Sequence, residues 1–508
     1  MHDVMIIGGG LAGLAAAAGL AEHGIRSTLL ESRKALGGRA SSFEDTAQAE
    51  IVDNCQHVSM GCCTSLAQFC RTIGIDDFFH VEKALTFIGP DGRSCLFAAD
   101  PLPAPLHLAR AFARLKYLTW RDRWQLAWGL RRLARTPVER LRGRVFLDWL
   151  QENGQGERVR ELFWHVVLVS AISETLDRID AAHARKVFVD GFLSNREGWE
   201  VHIPRVPLGR LYGDRVRRWL EERGVQLRML TGAARIEFDP AGTAASVACR
   251  SGESLIAEDV ILAVPQYRVA DLLPERIMAD PFFARVAQIE SAPIASVHLW
   301  FDTPIMDLPH AVLVGRLSQW VFRRSENITS DSSVVLRNLA LAAGDGPVPP
   351  EVLKRSNYYQ VVISASRGVR EQGQAATVEA VVAELRDIWP RVRQARLLHS
   401  RVVIEQRAVF AATPGVDALR PSQTTPVPRL HLAGDWTDTG WPATMEGAVR
   451  SGYLAAESLL RRRGIQRSLL PPDLPVETPA RWLFGLADQP SGSTSAASSA
   501  GSPEGKTV

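Results

Sequence analysis

The spacing of apolar and polar residues changes several times along the chain, and each change predicts an element. "DVMIIGGG" gathers Val4, Met5, Ile6 and Ile7 ahead of three glycines, which predicts a short buried strand. "LAGLAAAAGLAEHG" is rich in strong helix formers and stops at a glycine, so a helix follows at once. "RSTLLES" reads as a second strand, which completes a β-α-β unit. Residues 64–74 predict another helix closing at Gly74, and residues 106–163 carry a long helical pattern. Residues 201–265 alternate between Gly and Pro breaks and predict strands, as do "ASVHLWFD", "QWVFRRS" and "YYQVVISAS" within 291–366. A helix over about 376–389, a strand near 401, the run "RLHLAGDW" and a closing helix in "TMEGAVRSGYLAAESLLRRR" complete the pattern. Beyond about 487 the chain is Ser, Gly, Ala and Pro, a composition expected to be disordered.

Composition narrows this picture. A chain of 508 residues is too long for one core, so several interleaved domains are expected. A net charge of +3 is small for that length and gives no reason to expect a nucleic acid partner. No apolar run is long enough to span a membrane. The apolar N-terminus lacks a positively charged start and is split by Gly8-Gly9-Gly10, so it does not read as a secretory signal. The expectation is a cytoplasmic protein with reduced thiols.

Gly8-x-Gly10-x-x-Gly13 stands between the first predicted strand and helix. Its glycines permit a tight turn, close approach to a pyrophosphate and close helix–strand packing. Leu11 and Ala12 open that helix, whose free amides and dipole attract phosphate. Glu31 ends the second strand, with Ser32 beside it, where a carboxylate can hold a ribose hydroxyl pair. The complete setting predicts dinucleotide binding.

"SRKALGGRASSF", with Gly38 and Arg39, resembles the glycine-arginine motif of FAD enzymes of the amine oxidase and phytoene desaturase superfamily. "LHLAGDWTDTGWPATMEGAVRSGYLAAE" resembles the C-terminal flavin motif of the same group. The resemblance implies FAD as the cofactor. It places Arg39, Gly434 and Asp435 along the diphosphate and ribityl chain, and the helix start at Thr444 and Met445 at the flavin pyrimidine edge. Positive potential there favours the reduced anionic ring. By position alone, Ala234 in "TGAAR" matches the strand passing the adenine. The implied fold class is α/β: a Rossmann-like FAD-binding domain interleaved with a mixed β-sheet and helical substrate domain. The FAD-binding parts are expected at 1–95, 201–270 and 401–466, a helical part at 96–200, the substrate sheet at 271–400, and a tail at 467–508.

"VDNCQHVSMGCC" resembles the Asp-x-x-Gln-His segment of the hydroxysqualene dehydroxylases, and "QWVFRRS" and "VVISASRG" resemble further segments of that family. The resemblance implies reductive loss of an allylic hydroxyl from hydroxysqualene, giving squalene for hopanoid or sterol synthesis. Carotenoid desaturation, amine oxidation and a flavin-free prenyl-lipid escort of the GDP-dissociation-inhibitor type stand as alternatives. Such a reduction needs an acid for the leaving oxygen and a dry cavity. Asp53, Gln56 and His57 are the candidate catalytic residues, and Trp441 and Trp320 candidate pocket walls. Each also has a plain packing or hydrogen-bonding reading. Cys55, Cys62, Cys63 and Cys70 lack the paired spacing of a zinc site, so no metal is expected; small buried residues are the leading reading, with a redox disulfide the alternative.

Residues 106–144 carry eleven Lys/Arg against two acids, with Trp and Leu interleaved. An ordinary solvated face and a nucleic-acid patch are two readings. The third, contact with the cytoplasmic face of a membrane, suits the insoluble hydrocarbon substrate that the resemblance implies. No second nucleotide fingerprint points to an electron donor, which stays unassigned.

Overall fold

The structure is a computed structural model describing residues 2–47, 50–239, 245–324 and 357–487. The disorder expected beyond 487 lies outside the described residues.

Two seven-stranded sheets organise the α/β fold. In the first, His2–Ile7 lies between Ser27–Leu30 and Ser254–Leu262, parallel to both, and Gln226–Arg228 extends the parallel edge. Ala245–Cys249 and Ala233–Phe238 continue antiparallel beyond Ser254–Leu262, and Leu430–Leu432 pairs with that strand in parallel. Val4, Met5 and Ile6 are fully buried, as a continuous apolar run in a sheet covered on both faces requires.

The glycine helix Leu11–Ala21 is buried on nearly every side. That suits a helix of alanines and leucines wedged between the sheet and the closing helix Met445–Arg462. A β-carbon on Gly452 of the closing helix would stand 2.2 Å from the Ala12 carbonyl oxygen, so the two helices meet backbone to backbone.

The second sheet runs Leu397–Phe410, Ser291–Phe301, Asn357–Ser364, Trp320–Arg323, His310–Leu313, Ala84–Ile88, Ser94–Ala98. Three of these strands correct the expected division of the chain. Leu397–Phe410 reaches well into the expected FAD-binding part 401–466, yet it pairs with Ser291–Phe301. Ala84–Ile88 and Ser94–Ala98 fall at the 1–95 boundary, yet they pair into this sheet and not the nucleotide sheet. Residues 201–265 are also less uniformly extended than their alternation predicts. Leu208–Leu211 and Asp214–Glu221 are helical, and they bury Leu208, Leu211, Val216 and Leu220 against the glycine helix's core. The 467–508 tail holds a short helix, Thr478–Phe484, that packs on the helix Trp120–Arg135.

Candidate active site

The glycine motif forms the floor of the site. Gly8 has φ +112°, and a β-carbon on Gly13 would stand 1.9 Å from the Gly8 carbonyl oxygen, so strand and helix close only over glycine. Gly10 differs: a β-carbon there would meet only the Gly38 α-carbon, at 3.9 Å. The Gly37 amide donates to the Gly9 carbonyl at 2.8 Å, which brings the second glycine pair beside the first. No side chain caps the helix starting at Leu11, and its first turn holds no acid. An open glycine floor at an uncapped helix start, with Leu11 and Ala12 in its first turn, fits a diphosphate.

Glu31 is buried at the strand end; its Oε2 accepts the Gly9 amide at 2.8 Å and its Oε1 the Arg33 amide at 2.7 Å. A carboxylate has room for further donors, so it retains capacity for ribose hydroxyls. Ser32 is exposed beside it. The neighbours from the 231–235 segment are Thr231, whose amide donates to the Glu31 carbonyl at 2.8 Å, and Gly232, close to the Ser32 side chain. Ala234 lies exposed two residues further along.

Arg39 and Asp435 meet across the fold. Arg39 Nη2 donates to Asp435 Oδ1 at 2.6 Å, and Nη1 to the Ala408 carbonyl at 2.5 Å. The upstream and downstream motifs are thus one structure. Gly434 has φ +149°, and a β-carbon there would collide with the Trp436 indole nitrogen at 2.2 Å. Arg420, which sequence reasoning missed, is fully interior and donates to the carbonyls of Asp435, Thr437 and Trp441. As a lone arginine outside any motif, it gave no signal.

Thr444 caps the closing helix by accepting the Gly447 amide at 3.1 Å, and Met445 follows it with its sulfur 3.6 Å from the Tyr212 hydroxyl. Glu446 is completely buried and accepts the amides of Ser65 and Leu66 at 3.1 and 2.7 Å. It therefore caps the helix Thr64–Ile73 from across the fold. Burial pushes the Glu446 acid above its ordinary range, against the pull of Arg450 and the two amides.

Residues 53–57 run between this floor and the second sheet. Asp53 Oδ1 accepts Ser42 Oγ at 2.6 Å and the Leu208 amide at 2.8 Å, and its Oδ2 accepts Arg324 Nη2 at 2.8 Å. Gln56 Oε1 accepts the other Arg324 terminus at 2.8 Å. These bonds correct the reading of Asp53 as a proton donor: both oxygens are occupied as acceptors, and the residue anchors a buried arginine. Arg324 closes "QWVFRR", so the signal for it lay in that segment, but nothing in the spacing linked it to Asp53.

His57 is half-buried, and its Nδ1 donates to the Cys55 carbonyl at 2.9 Å. That bond leaves Nε2 as the atom able to exchange a proton. Burial, the largest influence, holds the imidazole below its ordinary range.

The sequence pattern of the flavin containing amine oxidoreductases matches residues 11–460. The chain belongs to that family. The flavoenzyme is similar to the 15-cis-phytoene desaturase of Solanum lycopersicum, 25% identical over 477 residues that cover 90% of this chain and 78% of the relative. It is 26% identical to the 15-cis-phytoene desaturase of Synechococcus elongatus, with coverage of 91% and 96%. An oxidoreductase from Methanosarcina mazei shares the fold, with a TM-score of 0.66 at 16% identity over 90% of this chain and 100% of that one. The flavoenzyme is an FAD-dependent oxidoreductase of amine oxidase and carotenoid desaturase type.

Trp441 is buried beside the Gly434-Asp435 loop with its indole N–H unpartnered among the described residues. Lys186 Nζ stands 4.4 Å over its ring and is itself paired to Asp190 at 2.6 Å. A buried donor aimed at no protein acceptor suits a bound group. Trp320 is placed elsewhere, in the second sheet, stacked on Phe322 with ring centroids 5.3 Å apart. The cysteines are free thiols. Burial pushes Cys55 up to about 12 and Cys70 higher still, so both stay protonated and unreactive. No metal-binding cluster exists among the described residues.

Proposed function

We propose that the flavoenzyme is a hydroxysqualene dehydroxylase, which removes an allylic hydroxyl as water, leaves hydrogen in its place and forms squalene. The substrate carbon gains a hydride, the hydroxyl takes up one proton, and two electrons come from reduced FAD. Bound FAD would supply the hydride. The observation that carries this reading is the clasp of Arg324 by Asp53 and Gln56, since it joins two of the segments that resemble this enzyme family.

The protein groups have distinct tasks. Asp53, Gln56 and Arg324 hold the 53–57 segment against the second sheet. When the His57 ring is protonated, its Nε2 offers the proton to the leaving oxygen, and Trp441 with Lys186 lines the wall. Buried apolar side chains exclude water from a cation formed when the allylic C–O bond breaks.

Similarity to phytoene desaturases over nine-tenths of the chain favours a second reading, carotenoid desaturation, in which oxidised FAD removes hydride from the hydrocarbon. One experiment separates them. The purified flavoenzyme is reduced anaerobically and mixed with hydroxysqualene; in parallel, the oxidised form is mixed with phytoene. Return of oxidised-flavin absorbance with squalene as product supports dehydroxylation. Bleaching by phytoene, with no reoxidation by hydroxysqualene, overturns it in favour of the second reading.

A further inference from the structure

The helix Trp120–Arg135 buries Leu126, Leu130 and Leu133 and turns Trp120, Trp124 and Trp128 outward, 79%, 70% and 44% exposed. Their four-residue spacing aligns them on one stripe. The rings of Trp124 and Trp128 are stacked at 6.0 Å. The helix Thr478–Phe484, packed alongside, presents Trp482 at 82% exposure. Trp149, Trp164, Trp199 and Trp436 are by contrast almost wholly interior, so exposure is particular to this face.

Charge on the same helix is one-sided. Its single acid, Asp122, is buried, accepts the amide of the N-cap residue Thr119 and pairs with Arg158. Arg121, Arg131, Arg132 and Arg135 form no ion pair among the described residues. Arg123 and Arg132 lie over the rings of Trp120 and Trp128, at 4.8 and 5.9 Å.

We infer that this face docks on an anionic lipid bilayer. Indoles favour the headgroup boundary, where the ring is sheltered and the N–H still finds oxygen. Unpaired guanidinium groups around them match lipid phosphates. The stripe lies on the outer side of a helix, so a flat, deformable surface suits it better than a rigid protein groove. The inference rests on exposure and charge and holds whatever the substrate is.

The test is co-sedimentation of the full-length, FAD-loaded protein with vesicles of phosphatidylcholine alone or mixed equally with phosphatidylglycerol. Binding is expected to the mixed vesicles and to fall in about 1 M salt, where the screening length shrinks to about 3 Å. Trp120→Ser, Trp124→Ser and Trp128→Ser together should lower partitioning about tenfold or more. Arg131→Gln with Arg135→Gln should lower it about fivefold per arginine. Flavin absorbance and melting temperature should stay at wild-type values in both variants. Equal binding to the two vesicle types, or wild-type partitioning by the tryptophan variant, would overturn the inference. So would a multimeric mass in light scattering that drops to one chain in the tryptophan variant, which would make the face a protein interface.

Discussion

Arg324 Nη2 and Asp53 Oδ2 form an ion pair of 2.8 Å with side chains 6% and 0% exposed, joining residues 271 positions apart. A buried pair is costly to break because the survivor is left charged in the interior. Asp53→Asn should therefore destabilise the fold by about 3–5 kcal/mol, read as a lower unfolding midpoint in denaturant. Asp53→Asn combined with Arg324→Met removes both charges and should recover part of that loss. If the single variant unfolds like wild type, the pair is not an anchor.

Gly10 and Gly13 belong to one motif yet should fail differently. A β-carbon at Gly13 meets backbone at 1.9 Å, whereas at Gly10 its one protein neighbour is 3.9 Å away. Gly13→Ala should cost folding, with low soluble yield and an early melt. Gly10→Ala should fold and melt near the apoprotein value but lose FAD, because the methyl occupies the approach of the diphosphate. Circular dichroism and flavin absorbance after ultrafiltration check the two outcomes.

These cases show which features could be read from the chain alone. The glycine floor was legible because a close backbone approach admits one residue type, and the closing helix because Thr444 starts an amphipathic run capped by its own hydroxyl. Elements with local causes were recovered, including the helix Thr64–Ile73 ending at left-handed Gly74. Long-range relationships were not. Arg39 with Asp435, Glu446 with Leu66, and Asp53 with Arg324 depend on tertiary placement, which periodicity does not encode. The helices Leu208–Leu211 and Asp214–Glu221 escaped notice because their apolar residues sit in short pieces among Gly and Pro, where strand and helix patterns look alike.

His57 makes the proposed chemistry pH-dependent. As an acid it must carry a proton on Nε2, and burial holds it neutral until below the ordinary histidine range. The rate of flavin reoxidation by substrate should rise only as pH falls below about 6.5, the ordinary histidine value. His57→Gln should lower the rate by about 10²–10⁴-fold and abolish that rise, while FAD content is unchanged. A variant that is slower but keeps the wild-type pH profile would assign His57 to positioning and not to proton transfer.

His107, His298 and His431 supply a separate prediction about stability. All three are interior, and burial lowers them to about 4, about 3 and about 4. A depressed histidine binds its proton more readily in the unfolded chain, so acid favours unfolding. Stability should be fully present above about 6.5, the unfolded value, and fall progressively below it. By pH 4, each such histidine costs the fold about 3 kcal/mol. His107 is the cleanest case, because both ring nitrogens are buried without a hydrogen-bond partner among the described residues. His107→Leu should leave the melting temperature near wild type at pH 7 and raise it relative to wild type at pH 5. A constant difference between the two proteins from pH 8 to 5 would show that His107 does not titrate between the folded and unfolded states.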